Sequence, residues 1–90
     1  MKESQIESYL RDKIKALGGI AYKFVSPGNS GVPDRLVLFP EGRTVFVELK
    51  APGKKPTKLQ QVQHKRMQAL GHEVRVIDSR EQVDAWLQEL

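Results

Sequence analysis

The triplet Glu48-Leu49-Lys50 stands 14 residues after Pro33-Asp34, and residues of these types at this spacing can do hydrolytic chemistry. Side chains alternate along a strand, so on one strand Phe46, Glu48 and Lys50 share a face while Val45, Val47 and Leu49 share the other. An acid on the preceding strand would complete a set of two carboxylates and one lysine, the minimum for metal-assisted hydrolysis of a phosphodiester. Two carboxylates and a backbone carbonyl leave open positions on a hard cation such as Mg²⁺, which keeps several waters. The ion lowers the pKa of one water and neutralises charge on the phosphate oxygens. A lysine beside it orients or deprotonates the attacking water, or stabilises the pentavalent transition state. The same pattern also arises by chance, with Asp34 opening a strand and Glu48 and Lys50 on an exposed face of alternating charge.

What decides between these readings is the framework. Residues 34–39 and 43–50 read as the two strands of a hairpin around Pro40-Glu41-Gly42, a three-residue loop in which Pro presets φ and Gly takes the left-handed position. If that is the whole loop, Phe39 pairs with Arg43, and counting outward sets Asp34 opposite Glu48. Cross-strand Cβ atoms lie about 5 Å apart, and like charges there are destabilising. Lys50 offsets this in part; a divalent cation between the carboxylates does so more completely. A bulge near Gly42 would shift the register by one.

The rest of the chain supplies a complete domain. Residues 4–17 read as a helix with Ile6, Leu10, Ile14 and Leu17 at helical spacing, stopped by Gly18-Gly19. Residues 20–25 form a short strand. Residues 26–33 (SPGNSGVP) are a loop, as are residues 51–56. Thr57 opens a helix to about residue 69 or 70, ended by Gly71. Residues 73–78 form a strand, and Ser79 caps a last helix with Val83, Trp86, Leu87 and Leu90 inward. The order α-β-β-β-α-β-α predicts an α/β fold, a mixed sheet flanked by helices, as a single domain over residues 1–90.

Composition narrows the partners. The chain has 90 residues and no cysteine, which excludes disulfides and thiolate metal sites and suits a reducing cytoplasm. Its charged N-terminus reads as neither a signal peptide nor a membrane span. A domain this small gains from oligomerising. Of the net charge of +4, residues 49–72 carry six basic residues and no acid, leaving −2 for the remainder. Positive charge confined to one segment suits a polyanion such as nucleic acid, although a solvated lysine-rich loop and helix face has the same composition.

With these motifs assembled, the chain resembles the VRR-NUC family, the virus-type replication-repair branch of the PD-(D/E)XK nucleases. The resemblance rests on Gly31-Val32-Pro33-Asp34-Arg35, Val45-Phe46-Val47-Glu48-Leu49-Lys50, and Gln60 ahead of Ala69-Leu70-Gly71. It implies a restriction-endonuclease-like core and Mg²⁺- or Mn²⁺-dependent endonuclease activity on DNA. Stand-alone members of this size resemble bacteriophage proteins associated with homodimers that cut four-way (Holliday) junctions. Carried over by position, Asp34 and Glu48 are metal ligands, Leu49 lends its carbonyl, Lys50 is the catalytic lysine, Glu7 the acid of the first helix, with a metal contact open to it, and Gln60 the polar residue of the second long helix.

Two of these have helix-capping rivals. Ser4-Gln5-Ile6-Glu7 has the form of an S-x-x-E capping box, and Thr57-Lys58-Leu59-Gln60 that of T-x-x-Q. Glu7 also borders the apolar face of its helix, where an acid wants a cation or a hydrogen-bond network. The resemblance favours the site for both. Lys54, Lys55 and Lys58 follow the Glu48-Leu49-Lys50 strand where a DNA backbone would pass, and read as phosphate contacts that read no bases; Lys23, Arg35, Lys65 and Arg66 are weaker candidates. Residues 26–31 could bring amides to a phosphate or be an ordinary loop. His64 reads as solvent-exposed near the site, His72 as a turn residue, and Trp86 as core or interface rather than a base-stacking platform.

The expectation is a metal-dependent endonuclease of branched DNA, acting as a homodimeric junction resolvase. The rivals are a monomeric flap or nicking nuclease and a non-catalytic nucleic-acid-binding module.

Overall fold

A computed structural model describes all 90 residues. The elements are α1 (Glu3–Ala16), β1 (Ile20–Lys23), β2 (Arg35–Leu38), β3 (Thr44–Leu49), α2 (Lys58–Ala69), β4 (Val74–Ile77) and α3 (Arg80–Gln88), with a tight turn at Pro40–Gly42. The expected order holds, with element ends moved inward or outward by one or two residues, as fraying termini allow.

One four-stranded sheet runs β1-β2-β3-β4. The first three strands pair antiparallel, and α2 carries the chain across to β4, which lies parallel to β3. Val37, Val45, Val47, Leu49 and Ile77 bury the inner face against Ile6, Leu10 and Ile14 of α1 and Val83 and Trp86 of α3. Phe39 packs edge-on against Trp86, ring centroids 5.6 Å apart. Leu17 and Leu90, expected on inner helix faces, are about half exposed: each lies just past its helix's last turn, where the periodicity no longer steers the side chain.

The hairpin keeps the register counted from the sequence. Leu38 pairs with Thr44 and Arg35 with Val47, and the Phe39 amide donates to the Arg43 carbonyl at 2.8 Å. One step beyond Arg35 and Val47 stands Asp34 across from Glu48. The loop differs from expectation in one respect: Glu41 (φ 70°) as well as Gly42 (φ 83°) is left-handed. The pairing survives because two left-handed residues together still reverse the chain without adding a residue to either strand.

The outer face is covered differently. It carries Ile20 and Tyr22 of β1, Leu36 and Leu38 of β2, Phe46 and Glu48 of β3, and Val74 and Val76 of β4, as strand alternation requires. α2 alone among the helices lies on this side, over Glu48. Ile20 and Tyr22 remain about half exposed.

Candidate active site around Asp34, Glu48 and Lys50

Asp34 is fixed from two sides. Its carbonyl accepts from the Phe24 amide at 2.9 Å, and its Oδ1 accepts from the Leu49 amide at 3.0 Å. The carboxylate is thereby drawn to the end of β3. Glu48 is 3% exposed, an unusual setting for an acid. Lys50 Nζ lies 4.0 Å from Glu48 Oε2, so alternation along β3 sets the two charged side chains on one face.

The electrostatics follow from this crowding. Burial, then the charge of Asp34, and more weakly that of Glu3, push the Glu48 carboxyl up to about 7, while Lys50 pulls it back. Asp34 is likewise raised, mainly by burial and then by Glu3, against the lowering effect of the Leu49 amide bond. Carboxylates held together this way favour sharing either a proton or a cation.

Gln60 both caps its helix and reaches the acid on β3. Its Oε1 accepts from the Thr57 amide at 2.9 Å, while Thr57 Oγ1 accepts from the Gln60 backbone amide at 3.2 Å, closing the capping box. The same side chain's Nε2 donates to Glu48 Oε2 at 3.4 Å. The start of α2 is thus tied directly to the acid on β3. The loop of residues 26–33 anchors this end of the helix: Gln63 Nε2 donates to the Ser30 carbonyl at 3.2 Å. Gly31, at φ +92°, passes so close that a Cβ there would stand 2.9 Å from the Leu59 carbonyl.

His64 corrects the sequence expectation. It is 6% exposed, with Nε2 3.6 Å from Glu48 Oε1, because one turn beyond Gln60 brings it over the same carboxylate. Burial, and then Lys50, lower its pKa.

No family model matches the chain. Over 81 residues, 90% of this chain and 87% of the relative, it is 56% identical to the "Putative nuclease p44" of Acyrthosiphon pisum secondary endosymbiont phage 1. A solved structure described as a VRR_NUC domain superposes with a TM-score of 0.92 at 37% identity, over 98% of this chain and 96% of that one. The chain belongs to the VRR-NUC family.

In this VRR-NUC domain the first-helix acid is placed differently from expectation. Glu7 Oε1 pairs at 2.8 Å with Arg35, whose guanidinium also donates to the Ala21 carbonyl at 3.1 Å. Glu7 therefore has its cation, and that cation is a protein side chain. Nor does it cap the helix: α1 begins at Glu3, and Gln5 Oε1 accepts from the Lys2 amide at 2.8 Å. The acid of α1 that acts electrostatically on both Asp34 and Glu48 is Glu3, which the sequence reading passed over. Its only signal was position, one helical turn before Glu7.

Arg35, named as a weak DNA contact, is 6% exposed and cannot meet a phosphate. It alternates onto the inner face beside Val47, and its charge is spent on Glu7. Lys54, Lys55, Lys58, Lys65, Arg66 and Lys23 are all exposed, with Lys54 and Lys55 on the stretch that joins Lys50 to α2 and Lys58 at the first position of that helix. His72 is exposed and stacks edge-on with Phe46. Trp86 is core, 2% exposed. No helix is long and apolar enough to cross a membrane.

The donors present suit a hard cation. Asp34 and Glu48 offer carboxylate oxygens, and their mutual repulsion is what a divalent ion would relieve. No three Asp, Glu or His side chains gather into a ready-made cage, so an ion here would complete its coordination with backbone oxygen, water or substrate.

Proposed function

We propose that the chain is a metal-dependent endodeoxyribonuclease that cuts branched DNA, with a four-way junction cleaved by a homodimer as its preferred substrate. The observation that carries the reading is the cross-strand pair of Asp34 and Glu48, with Lys50 Nζ 4.0 Å from Glu48, in a chain of the VRR-NUC family. The nuclease name of the phage relative points the same way.

Asp34, Glu48 and the Leu49 carbonyl would hold the ion, with Glu3 adding negative charge at its edge. When bound, Mg²⁺ or Mn²⁺ supplies charge neutralisation at the phosphate oxygens and a water of lowered pKa. Lys50 would orient an attacking water, and its ammonium would stabilise charge developing on the phosphate. Gln60 steadies Glu48 while it works. Lys54, Lys55 and Lys58, with Lys65 and Arg66 further along α2, hold the DNA backbone by charge.

Homodimerisation suits the near two-fold symmetry of a four-way junction, since a two-fold dimer presents two equivalent sites to opposing strands. The half-exposed Ile20 and Tyr22 on the outer sheet face support association of some kind.

The test is a substrate panel of four-way junction, flap and linear duplex with Mg²⁺ or Mn²⁺, together with sedimentation. Cleavage of the junction is expected to vanish in Lys50→Ala and Asp34→Asn while junction binding survives. A wild type that binds branched DNA yet never cuts it would establish a binding module instead. A monomer that prefers flaps would establish a flap nuclease.

A further inference from the structure

α2 inverts the usual pattern of a surface helix. Leu59 and Val62 are each about half exposed, and the side chain turned inward is the imidazole of His64. An apolar residue would ordinarily occupy that position. Its partner explains the choice. His64 Nε2 and Glu48 Oε1 are both buried, both lack a hydrogen-bond partner, and face each other at 3.6 Å. An orphaned buried polar atom costs about 1–3 kcal/mol. Moving the two closer by roughly half an ångström satisfies both at once, with the imidazole proton on Nε2 donated to Oε1.

The other oxygen of Glu48 is already engaged by Gln60 Nε2 at 3.4 Å and faces Lys50 Nζ at 4.0 Å. Gln60 and His64 are one helical turn apart, so α2 reaches both oxygens of one carboxylate from a single rigid element. Holding both oxygens fixes the plane of the carboxylate, which a single contact would leave free to rotate.

We infer that His64 is a positioning residue, whose Nε2–H holds Glu48 Oε1 and sets the carboxylate plane presented to the cation. This rests on the metal-binding reading of Asp34 and Glu48. Removing a group that orients a ligating side chain typically weakens metal binding about 10–100-fold.

The variants His64→Gln and His64→Met test it. Both side chains are unbranched and of similar size, and only glutamine keeps an N–H near the place of Nε2. Mn²⁺ binding is measured without DNA by the electron paramagnetic resonance signal of the free ion, and folding by circular dichroism. Wild type and His64→Gln are expected to bind within about threefold of each other, and His64→Met about tenfold or more weaker. Equal binding by His64→Met and His64→Gln, whether strong or weak, overturns the inference. A wild type that binds no Mn²⁺ removes the metal reading and this inference with it.

Discussion

Replacing Glu48 by glutamine should make the metal-free protein more stable while destroying its proposed activity. In the fold Glu48 titrates at about 7 rather than its ordinary 4.5. A raised carboxyl pKa means the folded state prefers the protonated form. The associated stability is fully present below the ordinary carboxylate range and is lost as pH rises through about 7. At pH 8 the wild-type protein therefore folds around an unwelcome charge. The full shift corresponds to about 3 kcal/mol as an upper bound, and relaxation of the site around the charge reduces it to about 1–2 kcal/mol. In a domain of this size that is a rise in Tm of about 5–10 °C. Glutamine can accept from Gln60 with its oxygen and donate its amide to His64 Nε2 once the imidazole proton moves to Nδ1, so neither neighbour is left worse off. The assay is thermal unfolding of wild type and Glu48→Gln in EDTA at pH 5 and pH 8. The gain should be present at pH 8 and largely gone at pH 5, where Glu48 is already protonated. Adding Mg²⁺ at pH 8 should raise the Tm of wild type alone, by mass action on the folded state. Absence of a gain at pH 8, or an equal gain at both pH values, would refute the electrostatic account of the site.

Two further outcomes separate the structural charges from those proposed to face DNA. Arg35→Ala leaves the Glu7 carboxylate half-buried without its cation, and should destabilise the fold by about 2–4 kcal/mol in urea unfolding; the DNA affinity of the protein that remains folded at low temperature should be unchanged. The triple variant Lys54→Ala, Lys55→Ala, Lys58→Ala should behave in the opposite way. Its Tm should match wild type, whereas the slope of log K against log salt for DNA binding should fall by about 2–3.

Much of the candidate site was legible because it depends on local geometry. A three-residue loop and the two-residue period of strands are enough to set Asp34 across from Glu48, and the two left-handed residues in the loop did not alter the count. Gln60 was legible as an ambiguity between cap and site, and one amide with a donor end and an acceptor end reaches both the Thr57 amide and Glu48. The misses involve burial, which depends on what packs overhead. Arg35 alternates onto the same face as Val37, and that alternation already implied a buried cation in need of an acid; Glu7, on the apolar border of α1, was that acid. His64 was assigned to solvent by the habit of histidines, whereas its spacing of one turn from Gln60 carried the better signal. Glu3 precedes the first apolar residue of α1, so no periodicity pointed to it, and only the tertiary fold brings its charge to bear on Asp34 and Glu48.

The double use of Gln60 sets a limit on how this domain can be made more robust. Helix starts gain from an acid in the first turn, where it meets the positive end of the helix dipole, so a designer working from local propensity would write glutamate at position 60. That change would keep the reach back to the Thr57 amide and gain up to about 1 kcal/mol of helix stability. It would also remove the donor that meets Glu48 Oε2 and set a further negative charge against an acid already crowded by Asp34. Neutrality is what allows one side chain to serve a helix and a carboxylate together. Thermostable versions of this domain, natural or designed, are expected to gain their stability elsewhere and to leave this suboptimal helix start as it is.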